Sequence, residues 1–420
     1  MTVVAVAVLV VGCAVGIAAT YLVARGRGVG IAHPAVAWLL LTGVFFVPGS
    51  IVVAAEGRGG PAAYVGAAIA AFGLALFGSD AVARRRRDFV AGAPRVSSVR
   101  WPLVAGLALL GVALVVPTFV ATGIPFLARD ITASRTEIAG FVVLPLRVAL
   151  PGAAALALLW ATRPNRGSRR WLAAAAIVAI AAFDVLLASR YLLAELAAAL
   201  VVAWLLAGRR IRPSVAAAVV VAGLVAFGGI QVLRAYDDAA GREVQFAATR
   251  TVNRVILVQP RTLAALMDTI PDEQPYFLGL TWVRRLGPLV GRDDIPNLGY
   301  WIYPKVVTGE QAVAGYAAPG WLGEAWANFG WAGIALFALL GVAVERLGAL
   351  IAIRVHDRDR SPPVADIAAS ALLVLFVART HALGVVGLGL IVVVVIAWRL
   401  VVGSDAGLGS DVRRTFAWRT

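Results

Sequence analysis

Apolar runs of about 20 residues recur along most of the chain, separated by short arginine-rich links. Each run is long enough to cross a hydrocarbon core of about 30 Å as helix. In lipid, every backbone N–H and C=O must be satisfied internally, which restricts spanning structures to helices and closed barrels. The alternation that barrel strands require is not seen. The pattern therefore predicts an all-α polytopic integral membrane protein with eleven spans. They lie at about 2–23, 34–55, 61–83, 101–121, 138–162, 171–188, 191–207, 214–233, 330–353, 364–383 and 385–402. The first run lacks a charged leader and is too long for a signal peptide, so it is read as a span. One long polar interval breaks the series. The expected organisation is spans 1–8 over residues 1–233, a large loop with amphipathic helices over 234–329, spans 9–11 over 330–403, and a tail over 404–420.

Charge gives the spans a direction. Arg25, Arg27, the Arg84–Arg87 run, Arg95, Arg100, Arg163, Arg166, Arg169, Arg170, Arg209, Arg210, Arg212, Arg354, Arg358, Arg360, Arg413, Arg414 and Arg419 all fall on alternate links. The opposing short links hold only Arg58, Arg129, Arg135 and Arg190. The positive-inside rule then predicts a multi-pass protein of the inner (cytoplasmic) membrane, its N-terminus outside and its C-terminus in the cytoplasm. The Arg234–Pro319 loop falls outside. This placement also accounts for the net charge of +15 without a nucleic-acid partner.

Composition removes other classes. Hydrophobic residues make up 61% of the chain, against about 45–50% in soluble domains. Cys13 is the lone cysteine and His33, His356 and His381 are far apart, so no disulfide framework, metal motif or cofactor is expected. No phosphate-binding loop, dinucleotide fingerprint or nucleophile elbow occurs. No internal repeat of the kind found in many transporters is visible.

Candidate chemistry lies where ionisable groups meet apolar runs, because such groups are costly there. Arg147, Asp184, Arg190, Glu195, Arg234, Glu324, Glu345, Arg379 and His381 qualify. Arg190, Arg234 and Arg379 end or begin spans on the outer side, and Arg250 and Arg254 lie in the loop. Guanidinium groups at that level suit a phosphate ester, since they stay charged and bind phosphate bidentately. The opposing reading is pairing or snorkelling, which is favoured for Arg147 and Glu345. Residues 241–267 have helical character, read either as a helix lying at the headgroups or as a cationic shelf. Pro260 divides that stretch. Trp282, Tyr300, Trp301 and Tyr303 are interface anchors or sugar-stacking faces. Glu324, among aromatics and glycines, is the best general-base candidate; a helix-start carboxylate is its alternative. Asn328 lies one turn beyond it. His381 is the further catalytic candidate, set against a role in the wall.

Three stretches are similar to the oligosaccharide repeat unit polymerases, the Wzy-type O-antigen and exopolysaccharide family. One is Ser189-Arg190-Tyr191-Leu192-Leu193, opening a span that ends in Arg209-Arg210-Ile211-Arg212. Another is Tyr276-Phe277-Leu278-Gly279-Leu280-Thr281-Trp282, with Asp294-Ile295-Pro296 downstream. The third is Gly323-Glu324-Ala325-Trp326-Ala327-Asn328-Phe329-Gly330 before a late span. The resemblance covers roughly residues 180–400. It implies a C-type membrane glycosyltransferase fold and an inverting, metal-independent transfer at the outer face. A glycan would pass from undecaprenyl diphosphate to the non-reducing end of a second lipid-linked repeat. On this resemblance Arg190, Arg234 and either Arg250 or Arg254 hold the diphosphate, with Arg379 a further diphosphate-binding candidate at the same outer level, Glu324 assists the acceptor hydroxyl, and membrane lipids, a flippase and a chain-length regulator are partners. The loop contains no histidine, unlike the related O-antigen ligases. A lipid-linked glycan transporter or flippase, a ligase-like transferase and a structural envelope component are the alternatives.

Overall fold

The computed structural model describes residues 2–85, 96–99, 167–187, 190–207, 256–284, 295–306, 317–355 and 402–404, with single positions between 113 and 158 and at 253. The described elements are α1 (Thr2–Arg27), α2 (Pro34–Ala55), α3 (Gly60–Arg85), β1 (Val96–Val99), α4 (Gly167–Leu186), α5 (Arg190–Leu206), α6 (Val258–Thr269), α7 (Leu280–Val283), α8 (Leu298–Val306), α9 (Gly320–Phe329), α10 (Ile334–Val355) and β2 (Val402–Ser404). Short 3-10 turns at Gly30–Ala32 and Gly330–Gly333 precede α2 and α10. Four stretches among these residues are long and apolar enough to cross a membrane: Thr2–Arg27, Pro34–Ala55, Gly60–Arg84 and Gly320–Ala352. The protein is a helical membrane protein. Of the eleven expected spans, those at 101–121, 138–162, 214–233, 364–383 and 385–402 lie mostly or wholly outside the described residues.

The chain divides into two compact units. One contains residues 87–240 with two later segments. In it α4 packs on α5, Phe119 meets Phe183 with ring centroids 5.9 Å apart, and β1 pairs antiparallel with β2, with an irregularity between Val96 and Ser98.

The other unit holds residues 1–86 and 241–350 and is organised on α3. Lipid supplies no hydrophobic drive for helices to pack on each other, so close backbone approach at small residues takes over. A side chain at Gly12 would run into the Gly66 carbonyl, and one at Gly73 would come within 2.8 Å of the Gly16 Cα. On the opposite flank, a side chain at Gly341 of α10 would run into the Phe72 carbonyl. Between these contacts Trp38 stacks on Phe72 at 4.0 Å, with Phe337 beside Trp38. All three rings are buried.

The pairings also fix direction. Gly12 meets Gly66 and Arg27 meets Asp80 between α1 and α3. Just before α10 Gly333 meets Tyr64, and along α10 Gly341 meets Phe72 and Glu345 meets Ser79. The helices α1, α3 and α10 therefore run parallel, with their first turns at one end of this unit.

The loop segment 256–269 departs from the headgroup-helix expectation. Helix α6 buries Gln259, Pro260, Thr262, Leu263, Ala264, Ala265, Leu266 and Thr269 and packs against α2, α3, α8 and α9. Its arginine-and-leucine pattern marks an internal helix with charged edges. Arg261 pairs with Glu56 at 2.8 Å, and Asp268 pairs with Arg58. Arg261 is thus a tether to the α2–α3 turn. Pro260 sits in the first turn of α6, where its missing N–H costs no intrahelical bond.

His33 caps α2. Its Nδ1 accepts from the Ala35 N–H at 3.2 Å. Burial above all, then the Arg27 guanidinium, push its pKa down to about 4, against an opposing pull from Asp80. Between that value and the usual 6.5 the folded state binds less proton than the unfolded chain, so stability falls as pH drops. Roughly 3 kcal/mol is expected to be lost from above pH 6.5 to below pH 4. Unfolding midpoints of wild type and His33→Asn across this range test it, Asn being a good helix cap. The wild-type midpoint should fall more steeply; equal slopes would refute the assignment.

Candidate functional site

Helix α9 ends at Asn328 and Phe329, because Gly330 takes a positive φ of 56° that stops it. The last carbonyls of a helix have no intrahelical donor. Here they are met from the loop. The Phe277 N–H donates to the Ala327 carbonyl at 3.0 Å, and the Leu278 N–H donates to the Asn328 carbonyl at 3.1 Å. The Gly279 N–H donates to Asn328 Oδ1 at 2.7 Å. Three successive loop amides thus cap one helix end. To aim them so, Leu278 and Gly279 adopt φ of 51° and 90°. Glycine does this freely; a leucine there carries strain of about 1 kcal/mol or more.

The hydrogen bonds fix the orientation of each polar group. Asn328 Oδ1 faces a backbone donor, and its Nδ2 donates to the Glu324 carbonyl at 2.8 Å and to Thr281 Oγ1 at 2.7 Å. The amide is therefore oriented unambiguously. Thr281 Oγ1, accepting from Asn328, spends its own proton on Glu324 Oε2 at 2.8 Å. A directed relay results: Asn328 to Thr281 to Glu324. Asn328 is fully buried, whereas Glu324 is half-buried. Thr281 is the only side chain among the described residues that donates to the Glu324 carboxylate.

Aromatic rings enclose this polar core. Trp282 meets Phe329 edge-on at 5.4 Å. Trp326 meets Tyr64, Tyr276 and Trp331, with centroids 5.3, 6.5 and 5.8 Å away. Phe277 meets Trp301 at 5.9 Å. A side chain at Gly330 would approach the Tyr276 hydroxyl to 2.5 Å. The indole N–H groups of Trp282 and Trp326 are buried and have no acceptor among the described residues. The Tyr64–Trp326 contact holds α9 to α3.

No protein-family model, curated protein or solved structure matches the chain.

Of the residues expected at the site, Glu324 and Asn328 come together, on one helix face four residues apart. Asn328 holds the loop through its bonds to Gly279 and Thr281. Arg190 is described in its backbone alone, as the first residue of α5, and belongs to the other unit. Arg147, Arg234, Arg250, Arg254, Arg379 and His381 lie outside the described residues. Glu345 is paired with Arg27. Of the four proposed aromatic anchors, Tyr300 is the most exposed, while Trp282, Trp301 and Tyr303 are half-buried. Thr281 was not singled out from the sequence. A threonine beside a tryptophan gives no signal until the loop is seen docked on α9. Among the described residues no group of three or more His, Cys, Asp or Glu could hold a metal.

Proposed function

We propose that the protein is an oligosaccharide repeat unit polymerase that extends lipid-linked glycans at the outer face of the cytoplasmic membrane. One observation carries this reading. The two more distinctive stretches that resemble that family, 276–282 and 323–330, are separate in sequence but cap and orient each other through the Phe277, Leu278, Gly279, Thr281, Glu324 and Asn328 hydrogen bonds. Their product is a single oriented, half-buried carboxylate.

In the proposed reaction an acceptor hydroxyl attacks the anomeric carbon of the donor glycan. Its proton passes to Glu324, a new glycosidic C–O bond forms, and the C–O bond to the diphosphate breaks. The lipid diphosphate leaves with the electron pair. Its negative charge needs cations that remain ionised near lipid, and Arg190, Arg234, Arg250, Arg254 and Arg379 are proposed for that role. Transfer by this in-line displacement inverts the anomeric centre.

The parallel packing of α1, α3 and α10 is compatible with the orientation expected from charge. The far ends of the parallel helices α1, α3 and α10 carry Arg25, Arg27, Arg84, Arg85 and Arg354, and the Glu324 end lies at their first turns. The positive-inside rule makes the arginine end cytoplasmic. A reporter fused near Asp272 is expected to read extracytoplasmic in intact cells; a cytoplasmic signal would remove access to an outer-face substrate.

The activity is tested with purified protein in lipid and a lipid-linked repeat unit. Lipid-linked products of two or more repeats are expected, and no product longer than the substrate would reject the polymerase reading.

A further inference from the structure

A second polar centre lies at the opposite end of the same unit. From Tyr64 to Asp80 along α3 is about 24 Å at the helical rise of 1.5 Å per residue. There the Arg27 guanidinium on α1 meets Asp80 on α3 at 3.0 Å and Glu345 on α10, using the same Nη2 nitrogen for both. Ser79 donates to the other Glu345 oxygen at 3.0 Å, and Arg84 Nε donates to Asp80 at 2.6 Å. The carboxylates of Asp80 and Glu345 are 3% and 0% exposed and the Arg27 side chain is 10% exposed, so the central three groups have left solvent. His33, also buried, packs its Nε2 where a side chain at Gly348 would stand. Four helices therefore meet at this centre: α1 through Arg27, α2 through its N-cap His33, α3 through Ser79 and Asp80, and α10 through Glu345 and Gly348.

We propose that the Arg27–Asp80–Glu345 centre is a conformational lock that holds α10 in register on α1 and α3. Buried charges attract strongly only as a complete set, and removal of one partner strands the others. The set here is asymmetric. Asp80 has a second guanidinium in Arg84. Glu345 has Arg27, the Ser79 hydroxyl, and Arg346 at 3.9 Å on a side chain 57% exposed. Loss of Arg27 therefore strands Glu345 more than Asp80.

The lock is tested without any transfer assay, so its outcome is separate from that of the polymerase reading. In a Cys13→Ser background, Ser79→Cys reports access to the centre through alkylation by a water-soluble maleimide in native membranes. The reporter should be protected when Arg27 is present. Arg27→Gln should speed its alkylation about tenfold or more, as local opening replaces the closed state. Adding Glu345→Gln should restore most of the protection, and adding Asp80→Asn should restore less. Unchanged alkylation in Arg27→Gln overturns the proposal, as does equal rescue by the two second-site changes. Thermal unfolding of the same variants with Ser79 retained guards against the reporter perturbing the centre. There Arg27→Gln/Glu345→Gln should unfold above Arg27→Gln, and the reverse order overturns the proposal.

Discussion

Glu324→Gln is expected to reduce chain elongation by roughly 10²–10⁴-fold, the usual contribution of a positioned general base. Glutamine has nearly the same shape, and its carbonyl oxygen can still accept from the Thr281 hydroxyl. The relay from Asn328 through Thr281 should survive, and the protein should insert and fold as before. What is lost is the ability to take up a proton. The fall should therefore appear in turnover, with KM changed little, because the carboxylate acts on the acceptor as its bond forms. Quantifying lipid-linked products over time at several acceptor concentrations measures both parameters. Products of normal length at a normal rate would remove Glu324 from the chemistry.

Asn328→Ala should be more damaging to structure than Glu324→Gln. It removes an acceptor from the Gly279 N–H and a donor from both Thr281 and the Glu324 carbonyl. Stranding such buried groups costs about 1–3 kcal/mol each, so a local loss on the order of 3 kcal/mol is expected. Leu278 and Gly279, held at positive φ by these bonds, would relax. Asn328→Asp should fare no better, since it keeps an acceptor but loses both donors and adds a negative charge beside Glu324. Amide hydrogen exchange across 277–281 provides the measurement. Exchange there should quicken markedly in both variants while α1 and α3 keep wild-type protection. Wild-type exchange in the loop would show that other contacts hold it.

How much of this was legible beforehand differs by element. The span at 34–55 coincides with α2, and those at 2–23 and 61–83 fall within a few residues of α1 and α3, because a long apolar run in lipid has one stable outcome. Glu324 and Asn328 were also visible, as polar residues in an aromatic and glycine setting. Their mutual orientation was not. It depends on loop amides some fifty positions earlier, and backbone donors leave no trace in sequence. For a related reason the sequence leaves α6 open between a headgroup helix and a cationic shelf. Its arginine and acidic edges resemble a headgroup-facing helix, but tethers to Glu56 and Arg58 let those edges face outward while the rest is buried. The lock was missed almost entirely. Arg27 reads as a positive-inside arginine and His33 as a lone histidine, and Asp80 is not singled out; only packing shows that three distant stretches converge. Glu345 alone gave the hint, since a carboxylate inside an apolar run needs a partner.

Elongation by purified protein reconstituted in lipid is the most direct test of the central claim. Wild-type protein given a lipid-linked repeat unit should build chains of several repeats and release lipid diphosphate, while Glu324→Gln, equally folded, should leave the substrate at a single repeat. Substrate left at a single repeat by folded wild-type protein, or chains built equally well without the Glu324 carboxylate, would contradict the account.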